Sequence, residues 1–353
     1  MITRVFRYSN IQARTRTLKG KLLSPEDWHY LQKMRGFDEF LRYLRGTEYA
    51  PFLSGFSDST AEAGQISLAL HNALFGDYAK LLKAVPEKGA ILLRGLLLRY
   101  EAENIKTILR GIWQTKSDTE IRPLLYRLGA LSRLPWEDLL NVCRVKDLVD
   151  LLKPTLYYRP LMYAFPQFEA QGRLFPLEIT LDMVPLEHLA ASLKSLKGLN
   201  GRGAKALVGE FIDGVNVAWL VRFRHYYGLS AEEAINYSLP GGLRLSLRDL
   251  GRLARVSGLP DFLEELPEPY RMSLSSAQRW QQIQPLFQRR LVDELYRSFQ
   301  GDPFQIRLPT AYLLLREREV KSLESLASAL EIGESPNEIV SLIGWPLRGN
   351  ARV

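Results

Sequence analysis

Apolar residues recur along most of the chain at intervals of three and four positions, which is the spacing of one face of an α-helix. The clearest stripe holds one amide among apolar side chains: Leu93, Leu96, Leu97, Tyr100, Asn104 and Ile108. Comparable stripes run through residues 35–45, 186–196, 207–223, 286–299 and 311–330, with prolines and glycines between them. Alternating patterns typical of strands are scarce. The sequence therefore predicts an all-α protein.

A short polar pattern recurs in three long helical segments: an acid, then Asn or Ser three residues later, then an aliphatic residue. The copies are Glu101 with Asn104, Asp213 with Asn216, and Glu319 with Ser322, and their acids lie 112 and 106 residues apart. A period near 110 residues is longer than the about 34 to 47 residues of common helical repeats. We therefore predict three pseudo-repeated helical bundles over residues 1–128, 129–240 and 241–353, although so short a pattern can also recur by chance.

Composition is that of a folded protein with one basic end. The 353 residues allow two or three compact units, and 46% apolar with 24% charged residues is ordinary for a globular chain. The net charge is +8, yet the first 21 residues hold six cations and no acid. These are Arg4, Arg7, Arg14, Arg16, Lys19 and Lys21. A single basic segment therefore fits the charge better than a uniformly basic nucleic-acid surface.

Residue types that carry chemistry are sparse. Cys143 is the only cysteine, so no disulfide framework or paired-cysteine zinc site can form within the chain. The four histidines lack the spacing of metal-binding pairs. The longest apolar run, residues 91–98, is broken by Arg94 and is too short to span a membrane. We expect neither a catalytic site nor a bound cofactor or metal.

Landmarks along the whole chain resemble, in family order, the C subunit of prokaryotic V/A-type ATPases, which corresponds to the d subunit of the eukaryotic enzymes. They begin with YSNIQARTR at 8–16, the pattern of Phe40, Leu44, Thr47 and Tyr49, and LLLRYE at 96–101. They continue with FPLE at 175–178, PGG at 240–242, DPFQI at 302–306 and AYLLLREREV at 311–320. Two positions depart from the family pattern. Arg316 stands where the family usually has Lys, and Ser322 stands where it usually has Asn.

The resemblance implies a funnel of three helical bundles, bound peripherally at the cytoplasmic face of the membrane. Such a protein joins the central rotor shaft to the proteolipid ring and transmits torque without performing chemistry. The membrane stator subunit is a further possible partner. Proton and sodium coupling, and ATP synthesis and hydrolysis, all stay open. Two alternatives are a basic helical nucleic-acid-binding protein and an unrelated helical scaffold.

The polar pairs and the basic segment each have two interpretations. An acid and an amide at i and i+3 lie side by side on a helix, and a buried amide needs hydrogen-bond partners. The pairs either bond to backbone groups and counterparts in neighbouring helices, which fixes bundle register, or line the shaft socket directly. The basic N-terminal segment is either an ordinary solvated face or a contact with ring loops, shaft or lipid headgroups.

Overall fold

The computed structural model describes residues 2–57 and 61–334, with side chains for 8–57, 61–198 and 201–334. Every regular element in these ranges is a helix, which confirms the all-α class. None of the described helices has the length and apolar character needed to cross a bilayer. In chain order they are α1 (Ile2–Lys19), α2 (Pro25–Leu31), α3 (Phe37–Leu44), α4 (Ala50–Leu53), α5 (Ala63–Leu82), α6 (Glu87–Trp113), α7 (Asp118–Ile121), α8 (Trp136–Leu140), α9 (Val145–Leu151), α10 (Tyr158–Gln171), α11 (Phe175–Ser192), α12 (Gly198–Val221), α13 (Ala231–Ile235), α14 (Leu247–Arg255), α15 (Leu259–Glu265), α16 (Tyr270–Leu274), α17 (Ile283–Arg297) and α18 (Arg307–Glu331).

Several short helices begin at serine caps that the sequence encodes locally. In α2 the backbone N–H of Asp27 donates to the Ser24 hydroxyl, and the Asp27 carboxylate accepts from the Ser24 N–H. Ser230 and Ser246 start α13 and α14 with the same reciprocal bonds. Such a capping box satisfies backbone donors that the first helical turn leaves free. These short helices therefore begin at defined residues between the long ones.

Three long helices, α6, α12 and α18, each pack against a helix that runs in the opposite direction. Helix α6 packs on α11, α12 on α17, and α18 on α5. Helices α7–α10 connect the two helices of the first pair, and α13–α16 connect those of the second. The third pair has no such connection, because α5 lies near the start of the chain and α18 near its end. Helices α1–α4 precede α5, so the two ends of the described chain share one packed unit.

The buried apolar residues form three clusters that follow the same division. One cluster extends through α1–α6 and α18, a second takes its residues from α6–α11, and a third mainly from α12–α17. The first cluster also takes residues from α11, α12 and α17, so it joins the three pairs. The predicted boundaries after residues 128 and 240 stay a prediction, and residues 335–353 of the third predicted bundle lie outside the described chain.

Gly95 marks the close approach of α6 to α11 and gives a test of that packing. A Cβ on Gly95 would lie 3.2 Å from the backbone Cα of Leu189, so Gly95→Val must push the two helices apart. We expect a loss of about 1–3 kcal/mol in the free energy of unfolding, measured by denaturant titration. At Gly64 an added Cβ meets nothing within 4 Å, so Gly64→Val is the control. Equal losses in both variants would contradict the packing.

Candidate functional site

The three repeated acids are buried, and each accepts a hydrogen bond from a buried tyrosine hydroxyl. The pairs are Glu101 with Tyr157 at 3.2 Å, Asp213 with Tyr270 at 2.6 Å, and Glu319 with Tyr49 at 2.9 Å. Burial raises the pKa of all three carboxyls, and the hydroxyl donors offset only part of that effect. The acid of each long helix is thereby tied to the short-helix segment packed beside it.

The remaining donors to these acids differ. Asp213 accepts backbone N–H bonds from three consecutive residues, 243–245, at 2.8 to 3.3 Å. Glu319 accepts the N–H of Leu23 at 2.7 Å and the guanidinium of Arg316 at 2.6 Å. Within the described ranges no backbone N–H donates to Glu101. The first acid therefore lacks the backbone cover that the other two have.

The two asparagines bond to backbone groups of another segment, whereas within the described residues the serine bonds only inside its own helix. Asn104 donates to the Tyr126 carbonyl at 2.9 Å and accepts its N–H at 2.8 Å. Asn216 makes the same two bonds to Leu239, again at 2.9 and 2.8 Å. The hydroxyl of Ser322 donates to the carbonyl of Arg318 in its own helix. Two amides thus fix the segment 22 or 23 residues downstream, whereas the positions 22 or 23 residues after Ser322 lie outside the described residues.

A central cavity of about 480 Å³ opens between all three long helices and two of their partners. Helix α6 contributes Arg99 and Lys106, α12 contributes Val215 and Trp219, and α18 contributes Glu317; further lining residues include Glu103, Tyr126, Asp182, Phe211, Arg222, Gln284, Gln288 and Lys321. Smaller recesses along α12, α17 and α18 extend this wall. None of the six residues of the repeated polar pairs lines the cavity.

Ion pairs lie on one side of the cavity and apolar rings on the other. Arg99 of α6 donates two bonds to Glu317 of α18, at 3.0 and 2.5 Å. Lys106 pairs with Asp182 and lies 2.8 Å from Glu103. Burial raises the pKa of Glu317, but Arg99 and Lys321 outweigh burial and bring it down to about 2.

The wall formed by α12 and α17 is largely neutral. It presents the half-buried side chains of Phe211, Val215 and Trp219, together with the amides of Gln284 and Gln288. An apolar wall facing fixed charges can hold a protein element that carries both kinds of surface. Sequence patterns alone did not point to the cavity residues, because their role arises from three helices more than 100 residues apart. One local signal was present, since Glu317 and Lys321 are spaced i, i+4.

The basic N-terminal segment packs back onto the chain where its side chains are described. Arg16 donates to the Phe299 carbonyl at 3.2 Å, and Lys19 lies 5.0 Å from the centre of the Phe299 ring. Lys21 pairs with Glu48 at 2.6 Å. Arg14 bonds to Asn10 of its own helix at 2.8 Å. The side chains of Arg4 and Arg7 lie outside the described residues, and a partner contact of the segment stays a prediction.

Comparison with known proteins decides the family. The sequence profile described as ATP synthase (C/AC39) subunit matches residues 11–342. The chain belongs to this family. A protein of Halorubrum lacusprofundi, named as the C subunit of an A-type ATP synthase, is 26% identical, with 94% of this chain and 95% of the relative covered. A protein of the same name from Methanothermobacter thermautotrophicus is 27% identical, with 91% and 83% covered.

Membership of the ATP synthase (C/AC39) subunit family confirms the resemblance seen in the sequence. A third relative of the same name, from Thermococcus onnurineus, is 24% identical over 96% of this chain and 90% of its own length. The similarity therefore extends through all three long helices and the segments between them. The chain is a subunit of a V/A-type ATPase and has other ATPase subunits as partners.

Asn216→Ala tests the amide link. The change leaves the N–H and carbonyl of Leu239 without partners in a buried site, so we expect a loss of about 2–4 kcal/mol in the free energy of unfolding. The measurement is chemical denaturation followed by circular dichroism. Asn236→Ala, at an exposed position, is the control and should change little. Wild-type stability of Asn216→Ala would show that the amide link contributes nothing.

Glu317→Gln tests the ion pair across the cavity. Removing the charge leaves Arg99 without its partner, which should cost about 3–5 kcal/mol at neutral pH. The folded pKa lies below the unfolded value of about 4.3, so wild-type Glu317 contributes stability above about pH 5. That contribution is lost as the pH falls toward 2.

The stability difference between wild type and Glu317→Gln should therefore shrink between about pH 5 and pH 2. The denaturant midpoints of both proteins are measured at several pH values. Other buried carboxyls whose pKa is raised are present in both proteins, so their contributions cancel in the difference. Glu264→Gln, an exposed change, should show no such trend. A difference that does not vary with pH would refute the assignment.

Proposed function

We propose that this protein is a non-catalytic part of the central stalk, which couples the rotor shaft to the ion-carrying proteolipid ring and transmits torque. The observation that carries the proposal is the central cavity, into which α6, α12 and α18 all contribute side chains. A partner protein bound in that cavity would contact three long helices at once. Torque applied to it would therefore be distributed over the whole packed body.

Rigidity of the cavity wall supports this role. The Arg99–Glu317 pair joins α6 to α18, and Lys106–Asp182 joins α6 to α11. The Arg290–Glu210 pair, at 2.8 Å, joins α17 to α12. Close-packed helices with few voids have low compressibility, so they can pass on force with little deformation. These links brace the helices around the cavity from several sides.

We also infer that the body consists of three related units arranged as a funnel. Support comes from the hydrogen bond between the repeated acid of each long helix and a tyrosine of the short-helix segment packed beside that helix. The contact of Glu319 with Leu23 and Tyr49 favours a third unit made from both ends of the chain. In this arrangement residues 2–57 and 61–82 belong to the unit of α18, and the predicted bundle limits of 128 and 240 would move accordingly.

The partners in this proposal are the shaft proteins at the cavity mouth and the proteolipid ring at the opposite end, with the membrane stator subunit as a further neighbour. The protein would bind peripherally at the cytoplasmic face. The alternative, a nucleic-acid-binding protein, loses its main support because described cations of the basic N-terminal segment contact the chain itself.

Gentle purification tests the proposal as a whole. The tagged protein is isolated from native membranes at low salt, and its partners are identified by mass spectrometry. We expect the catalytic head, the shaft and the proteolipid ring. Recovery of nucleic acid without ATPase subunits would overturn the proposal.

Val215→Asp tests the cavity as the shaft site. A carboxylate on this half-buried apolar wall should weaken shaft binding by at least about tenfold and lower coupled ion pumping, because a charge would be desolvated in the complex. Because Val215 also packs partly against the core, thermal unfolding of the isolated protein checks that the variant is folded at the temperature of the binding assay. Leu247→Asp, at a residue 52% exposed and remote from the cavity, is the matched control. Unchanged shaft binding by Val215→Asp would place the shaft elsewhere.

A further inference from the structure

A second cavity lies on the other side of α6 from the central one. It measures about 760 Å³ and is enclosed by α5, α6 and residues 127–133; we refer to it as the basic groove. Its floor is mainly apolar and includes Phe75, Ala79, Leu82, Leu97, Leu98, Leu128 and Leu131. A volume of this size is within the range of about 300–1,000 Å³ that encloses a compact ligand.

Four cations stand around this floor: Lys83, Arg94, Arg127 and Arg133. All four are exposed, and none has an ion pair or a side-chain hydrogen bond with any residue in the described ranges. The one acid in the groove, Glu101, is buried and accepts the Tyr157 hydroxyl. The groove thus presents several positive charges that the chain itself does not neutralise.

The groove exists because the first unit differs from the other two. At Asp213 the backbone of residues 243–245 lies directly on the carboxylate, and the Leu243 nitrogen is 2.9 Å from where a Cβ on Gly209 would lie. At Glu319 the backbone N–H of Leu23 likewise donates to the carboxylate. No backbone N–H of residues 127–133 donates to Glu101, which the Ser132 side chain approaches instead, and the space between this segment and helices α5 and α6 stays open.

We propose that the basic groove binds a short acidic segment of a partner protein, one in which carboxylates alternate with apolar side chains. The cations around the floor suit the carboxylates, and the apolar floor suits the side chains between them. A flat lipid surface cannot reach a recessed floor. Single-stranded nucleic acid needs exposed aromatic rings to stack on, whereas Phe75 on the floor is only 4% exposed. The proposal does not depend on the central cavity, which is on the opposite face of α6.

A peptide of alternating Glu and Leu, labelled with a fluorophore, is the probe. Its binding to the full-length protein is measured by fluorescence anisotropy at low salt, beside a Lys–Leu peptide of the same pattern. We expect the Glu–Leu peptide to bind, the Lys–Leu peptide to bind at least about tenfold more weakly, and added salt to weaken binding.

The double variant Arg94→Glu, Arg127→Glu should raise the dissociation constant of the Glu–Leu peptide by about tenfold or more. The double variant Arg173→Glu, Arg248→Glu changes the net charge equally at exposed positions outside the groove and should bind as wild type. Circular dichroism melting checks that both variants are folded.

Three results would overturn the proposal. The first is no detectable binding of the Glu–Leu peptide, and the second is equal weakening in both double variants. The third is that vesicles of phosphatidylcholine and phosphatidylglycerol, but not the peptide, bind in a manner that depends on Arg94 and Arg127. That last result would assign the surface to a membrane.

Discussion

Buried carboxylates need donors, and this requirement organises the whole fold. Each of the three long helices carries one such acid, and each acid takes a hydrogen bond from a tyrosine hydroxyl in the segment that packs beside that helix. An acid buried without donors would cost several kcal/mol, so the helix and the segment must come together. Two of the donors to Glu319, Leu23 and Tyr49, lie near the other end of the chain. The fold is therefore closed on itself by hydrogen bonds that span most of the sequence.

The two sides of the long helices perform different tasks. On the outward side, Glu101 and Asn104 hold the segment packed on α6. On the inward side, Arg99 reaches across to Glu317 and braces the central cavity. Because the polar pairs do not line the cavity, its wall can match a partner without disturbing the bonds that hold the fold. The proposed coupling role needs this separation, since force at the cavity must not open the core.

Much of the fold, and little of the site, followed from the sequence. The apolar stripes predicted the long helices, and ordered landmarks gave the family. The partners of the acids were missed, although Tyr49 and Tyr157 each follow a threonine by two residues and lie 108 positions apart; Tyr270 lacks that threonine. The cations of the N-terminal segment could not be assigned from charge alone, because Lys19 over the Phe299 ring looks in sequence like any solvated lysine. Residues of a site that is built from helices distant in the sequence show no characteristic spacing by which they could be recognised.

The central claim is that the cavity between the long helices holds the rotor shaft. The most direct measurement places a photo-crosslinking amino acid at Gln288, which lines that cavity, in the assembled ATPase. Illumination followed by mass spectrometry identifies what lies against it. We predict crosslinks to a shaft protein, lost when the shaft is removed. Crosslinks to the proteolipid ring or the stator in its place would contradict the account.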